Sequence, residues 1–249
     1  LHRLPARALG FCVTFAPVAW TSAIVLALSL AGRSVAADND DIGSYPLDSI
    51  ARELARGEAL PCKRVVDKLV VYRGDFVRYQ SAVRVYEAFV PRLRALEQIV
   101  IETSKDAYGR APRRIQQLGS YNCREMRIYA NWISEHALGN AIDVAGFDFA
   151  AMPRGEPLPP GVPSELRAAF SVRIQTHWNG KRGAAAVHSR FLRDLARRVI
   201  ARPEIFRTLL GPAWPGHSNH FHFDMAPYRV VEIFETVNVR ISGTPTSAQ

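Results

Sequence analysis

The chain has 249 residues, 48% of them hydrophobic and 22% charged, proportions that exclude wholesale disorder, a collagen-like chain and a multi-span membrane protein. That length suits one sizeable domain with an appendage. The formal charge is +9, but 28 of the 32 basic residues are Arg and they are scattered in runs no longer than Arg113-Arg114 or Arg197-Arg198, so an Arg-rich composition accounts for the charge and nucleic acid is not an expected partner.

Arg3 and Arg7 precede residues 8–32, which carry no charge and include the apolar run Ala23-Ile24-Val25-Leu26-Ala27-Leu28. Small residues follow at Ser34-Val35-Ala36 and Val35-Ala36-Ala37. Residues 1–36 therefore read as a secretory signal peptide, or as an N-terminal anchor if they are not cleaved. Either outcome exports the remainder to the periplasm or cell envelope. Membrane contact, at the inner membrane, is expected only through this segment if it stays uncleaved. In an oxidising compartment Cys62 and Cys123 can pair if their Cα atoms come close, which the sequence leaves open.

Residues 37–78 read as a linker and N-terminal extension, with a short helix expected from Asp48 to a stop at Gly57. The main domain is expected over 79–241. It opens with a helical stripe of Val83, Tyr86, Phe89, Leu93, Leu96, Ile99 and Val100, kinked or broken at Pro91. Strands are expected at 114–121, 141–145, 171–178 and 220–225, and a Pro-rich loop at 151–163. Phe191, Leu192, Leu195, Val199 and Ile200 mark a helix ended by Pro203, and residues 242–249 read as a disordered tail. Short strands and helices without a βαβ rhythm predict an α+β fold with a mostly antiparallel sheet and flanking helices.

Four of the seven histidines fall at two loci, residues 134–143 (SEHALGNAID) and 217–224 (HSNHFHFD). On a strand, residues two apart share a face, so His220, His222 and Asp224 line one side while Phe221 and Phe223 bury the other. Asp143 likewise faces away from Ile142 and Val144, and Gly139 lets the backbone bend between His136 and Asp143. Either pattern alone is weak evidence for a metal; together they become specific.

Residues 134–143 fit SxHxxGxAxD, and with the later His-x-His they resemble the LAS metallopeptidases (the lysostaphin, D-alanyl-D-alanine metallopeptidase and hedgehog group). More narrowly, Ser120-Tyr121-Asn122-Cys123-Arg124, Ser134-Glu135-His136-Ala137, Ala141-Ile142-Asp143-Val144 and His220-Phe221-His222-Phe223-Asp224 resemble the bacterial extensin-like C-terminal domain family. The resemblance implies a hedgehog/DD-peptidase-like fold with one zinc ion per chain on the sheet, held by His136, Asp143 and His222. It implies His220 as general base or electrostatic stabiliser. Arg124, with Arg127 as rival, would meet the oxyanion or a substrate carboxylate. Asp224 would orient a ligand imidazole, Ser134 and Glu135 would lie behind the ligands, and His217 is either a substrate contact or a solvated loop residue. His177 and His188, outside any motif, are expected to be structural, and Trp178 and Trp214 to serve in the core or in a cleft wall. Related domains often carry a cysteine near residues 193–202; this chain has none there, which leaves Cys62 as the partner open to Cys123. The expected activity is that of an exported zinc metallopeptidase cutting amide bonds in peptidoglycan stem peptides or cross-links. The alternative is a zinc-containing envelope-binding module without catalysis.

Overall fold

A computed structural model describes residues 45–235. The expected signal or anchor segment and the tail from 242 lie outside the described residues. Two sheets and two long helices form an α+β architecture. Strands β1 (Leu69–Tyr72) and β3 (Val83–Tyr86) make an antiparallel pair. The larger sheet is mixed, with β2 (Arg78–Tyr79), β4 (Arg114–Gly119), β5 (Ala141–Phe149), β8 (Phe221–Asp224), β7 (Thr208–Leu210) and β9 (Val230–Glu232) as neighbours in that order. Strand β6 (Phe170–Arg173) shares the edge of β5 that β8 uses, pairing with its C-terminal half. Pairs β2–β4 and β7–β9 are parallel and the rest of that sheet is antiparallel.

Helix α1 (Val90–Tyr108) starts at Val90 with Pro91 in its first turn, where the missing N–H would be unpaired in any case, and ends at Gly109 in the left-handed region at φ 72°. The expected helical stripe therefore holds only from this point on. Residues ahead of it cannot join the helix, because the proline ring would collide with the carbonyl four residues back. Val83, Val85 and Tyr86 are instead buried from strand β3, joined to α1 by the 3-10 turn Glu87–Phe89. The expected helix over 48–57 does not form. A helix of ten residues is marginal alone, and here its backbone is taken by other partners: Leu54 N–H donates to the Asn131 carbonyl (2.7 Å) and Ile133 N–H to the Arg52 carbonyl (2.8 Å). Residues 45–78 are more than a linker, since Tyr45, Leu47, Leu54, Cys62 and Val65 are buried in the core. Nor does residue 171–178 stay extended. Strand β6 gives way to the single helical turn α2 (Ile174–His177), which places Ile174 and Trp178, four residues apart, together in the core. Helix α3 (Gly183–Ile200) is the expected one, extended toward its N-terminus.

Strand parity decides which face carries chemistry. Cross-strand partners Ile142–Phe223 and Val144–Phe221 share one face of β5 and β8, and all four side chains are buried. Phe223 stacks on Phe206 (5.2 Å), which meets Phe89, and Phe147 packs on Phe191 of α3 (5.3 Å), so the helices cover this side. Burial of each such ring contributes on the order of 1.5–3 kcal/mol. The alternate residues Asp143 and His222, themselves directly paired, face the other way.

Candidate metal centre

Asp143 projects from β5 and His222 from its neighbour β8 at the same register position. His136 arrives from the 3-10 turn Glu135–Leu138, which closes at Gly139 with φ 64°. That glycine is required: a Cβ there would sit 2.4 Å from Leu69 Cδ2 and 2.9 Å from Tyr86 N. The three ligating atoms form a triangle. His136 Nε2 lies 3.2 Å from Asp143 Oδ1, His222 Nδ1 lies 2.9 Å from the same oxygen, and the two imidazole nitrogens are 3.2 Å apart. Among the described residues this is the group of His, Cys, Asp and Glu able to hold a metal ion. A tetrahedral ion with bonds of about 2.0–2.1 Å sets its donors about 3.3 Å apart, so the triangle fits in size and in donor chemistry.

The outer nitrogen of each imidazole is fixed by an acceptor. His136 Nδ1 donates to the Ser120 carbonyl (2.5 Å) and His222 Nε2 to Asp224 Oδ2 (2.7 Å). His217 Nδ1 donates to the Pro215 carbonyl (3.1 Å), and His220 Nδ1 sits 2.7 Å from Asn219 Oδ1. These partners turn the other ring nitrogen of His136 and His222 toward Asp143, the outer-shell arrangement that orients metal-binding histidines. His220 Nε2 is 3.5 Å from Asp143 Oδ1, and the His217 ring lies against His220 at 4.7 Å.

Without a metal, charge is strongly partitioned here. Burial works against a charge on His222, yet the flanking carboxylates of Asp143 and Asp224 outweigh it and push its pKa up to about 10. Burial would raise Asp143, but hydrogen bonds from His136 and His222 hold it well below the usual carboxylate range. Burial pulls His220 down to about 4, the nearby Asp143 only partly opposing it, so that ring is neutral at pH 7.

The triangle opens into a cleft of about 740 Å³. Arg124 and Arg127 line it together with His217, His220 and Trp214, and so does an apolar wall that includes Ile128, Tyr129, Trp132 and Tyr228. Arg124 Nη1 donates to the Glu125 carbonyl (3.0 Å). Leu118, Ile128 and Tyr129, all in this lining, are about half exposed and give the cleft apolar surface that a ligand could cover. Trp178 is a core residue, edge-on to Phe221. His177 and His188 pack together elsewhere, with His188 Nδ1 hydrogen-bonded to the Tyr108 hydroxyl (2.9 Å), as expected of structural residues.

Asp224 and Glu135 stand behind the ligands as expected, but the sequence did not reveal what holds Glu135. Glu135 turns away from His136 into a buried ion pair with Arg52 (Nε–Oε1 2.5 Å) and accepts a hydrogen bond from Asn140 (2.6 Å). Arg52 also caps the Leu47 carbonyl (2.7 Å). Nothing local marks Arg52, which lies 83 residues from Glu135. Ser120 was marked only as part of a family-like segment, not for its carbonyl, and Tyr228 of the cleft lining was unmarked. Cys62 and Cys123 form a disulfide with Cα atoms 6.0 Å apart, which settles the pairing that the sequence left open.

Residues 61–155 match the family model described as Extensin-like protein C-terminus. That span holds Cys62, Arg124, His136 and Asp143 and ends before His220 and His222, and the match supports the extensin-like family. No curated protein and no solved structure matches the chain.

Proposed function

We propose that the chain is an exported zinc metallopeptidase that hydrolyses amide bonds in peptidoglycan stem peptides or cross-links. The observation that carries this reading is the triangle of His136, Asp143 and His222 at the base of a cleft that also contains His220 and Arg124. Those three side chains would hold one zinc ion, and two neutral imidazoles with one carboxylate leave the centre at net +1. When bound, zinc polarises a carbonyl and lowers the pKa of a coordinated water toward about 7. His220, its Nδ1 occupied by Asn219, presents Nε2 beside Asp143 to take a proton from the attacking water and to return it to the leaving amine. Arg124 supplies a guanidinium for the oxyanion or for a substrate carboxylate. Kinship with the LAS enzymes and their hedgehog/DD-peptidase fold belongs to the same reading, as does delivery to the periplasm by residues 1–36.

The test is digestion of whole sacculi by purified, zinc-loaded protein, with released muropeptides identified by mass spectrometry. Fragments shortened at a peptide bond are expected. Binding to sacculi without release would instead identify a zinc-stabilised envelope-binding module.

A further inference from the structure

We infer that the Cys62–Cys123 disulfide is a positioning element of the cleft: it fastens the arm of residues 120–134, and with it Arg124, against the metal triangle. The functional part of this inference rests on the peptidase reading above.

The arm has little structure of its own. An isolated bridge joins Glu125 to Ile133, Met126 N–H donates to the Trp132 carbonyl (2.7 Å), and Asn131 N–H donates to Glu125 Oε2 (3.1 Å). Among the described residues, the hydrogen bonds of 123–130 all stay inside the arm. Its two ends are held differently. At the start, the Ser120 carbonyl accepts from His136 Nδ1 and Asn122 N–H donates to the His136 carbonyl (3.0 Å). At the return, Asn131 and Ile133 pair with Leu54 and Arg52. Between those ends the disulfide is a covalent tie, one residue before Arg124. Its other half, Cys62, is buried in the 3-10 turn Pro61–Arg64, which lies against the turn carrying His136. The bond thus connects a cleft wall to a fixed point beside the ligands.

The metal-holding side chains do not depend on that tie. Asp143 and His222 are set by the β5–β8 register, and His136 by the Gly139 turn and by its own hydrogen bonds with Ser120 and Asn122. Breaking the bond therefore loosens the wall and leaves the triangle. A substrate-contacting group displaced by about 1 Å can cost about 10²-fold in rate, so turnover falls while zinc stays.

The experiment compares the full chain with its Cys62→Ala/Cys123→Ala variant, each with and without Arg124→Ala. Hydrogen exchange over 121–133 is expected to quicken by about tenfold or more in the disulfide-free protein, with β5 and β8 unchanged and about one zinc per chain retained. Arg124→Ala should lower muropeptide release in the disulfide-bonded protein and add little in its absence, the non-additivity of two changes acting through one position. Unchanged exchange over 121–133, or loss of protection spread through β5 and β8, overturns the inference. So does an equal cost of Arg124→Ala in both backgrounds. Absence of any muropeptide release from the parent chain would count against the peptidase reading, and the exchange pattern would still decide the role of the disulfide.

Discussion

His222 sits between two carboxylates, 2.9 Å from Asp143 and 2.7 Å from Asp224, and its raised pKa makes it an imidazolium in the metal-free protein at pH 7. A folded-state pKa above the ordinary 6.5 stabilises the fold fully below pH 6.5, and that contribution is lost as pH rises through about 10. Asp143, held low, adds stability above its ordinary 3.8 that is lost only in stronger acid. Zinc must displace the proton on His222 Nδ1. Between about pH 7 and 9, zinc affinity should therefore rise at least about tenfold per pH unit, with one proton released from His222 per ion bound and up to one more from the coordinated water. Calorimetry in two buffers of different ionisation heat measures that proton directly, and zero release would contradict the assignment. His220 behaves differently, because it faces the same carboxylate without being needed as a ligand. His220→Ala should keep zinc and lose about 10²–10⁴-fold in hydrolysis, read as zinc content beside turnover. The positions of His136, Asp143, His220 and His222 were legible in the sequence because alternation and motif spacing are local. Arg52 was not, because its role is set by a contact across 83 residues.

At the scale of elements, two devices place the ligands: strand parity and one left-handed turn. Parity was readable, since Phe221 and Phe223 on one face imply His222 and Asp224 on the other, and the register Asp143–His222 then completes the pair. The turn was readable as a bend at Gly139, although the crowding against Leu69 and Tyr86 was not. Gly139→Ala would force a positive φ on a residue with a Cβ and drive it into the Tyr86 backbone. A loss of about 1–3 kcal/mol or more is expected in denaturant titration, together with weaker zinc binding because His136 moves. Unchanged stability would remove the turn from the account. The same scale shows where local pattern misleads. Residues 48–57 carry helix start and stop signals but are captured by 131–133. Val83–Tyr86 continue an apolar stripe but meet a proline that blocks the helix. Residues 174–178 alternate like a strand, yet bury Ile174 and Trp178 through one helical turn.

Across the whole molecule, side chains up to 86 residues apart in the chain meet within 3.2 Å on the sheet face that the helices leave uncovered. The N-terminal stretch from Tyr45 also belongs to that centre, through Arg52 behind Glu135 and Cys62 beneath the cleft wall. Its composition, polar and short of long apolar runs, gave no sign of this, since burial there comes from single residues reaching a core built by others. What the fold assembles is, before anything else, a triangle of two imidazoles and a carboxylate able to hold a metal ion, and every proposed step depends on it. The most direct measurement is zinc stoichiometry after dialysis of the purified full chain against a slight excess of zinc, alongside His136→Ala and His222→Ala. About one ion per chain is predicted for the parent and close to none for either variant, with the fold of the variants preserved by circular dichroism. A parent chain that retains no zinc, or a His222→Ala variant that retains a full equivalent, would contradict the account.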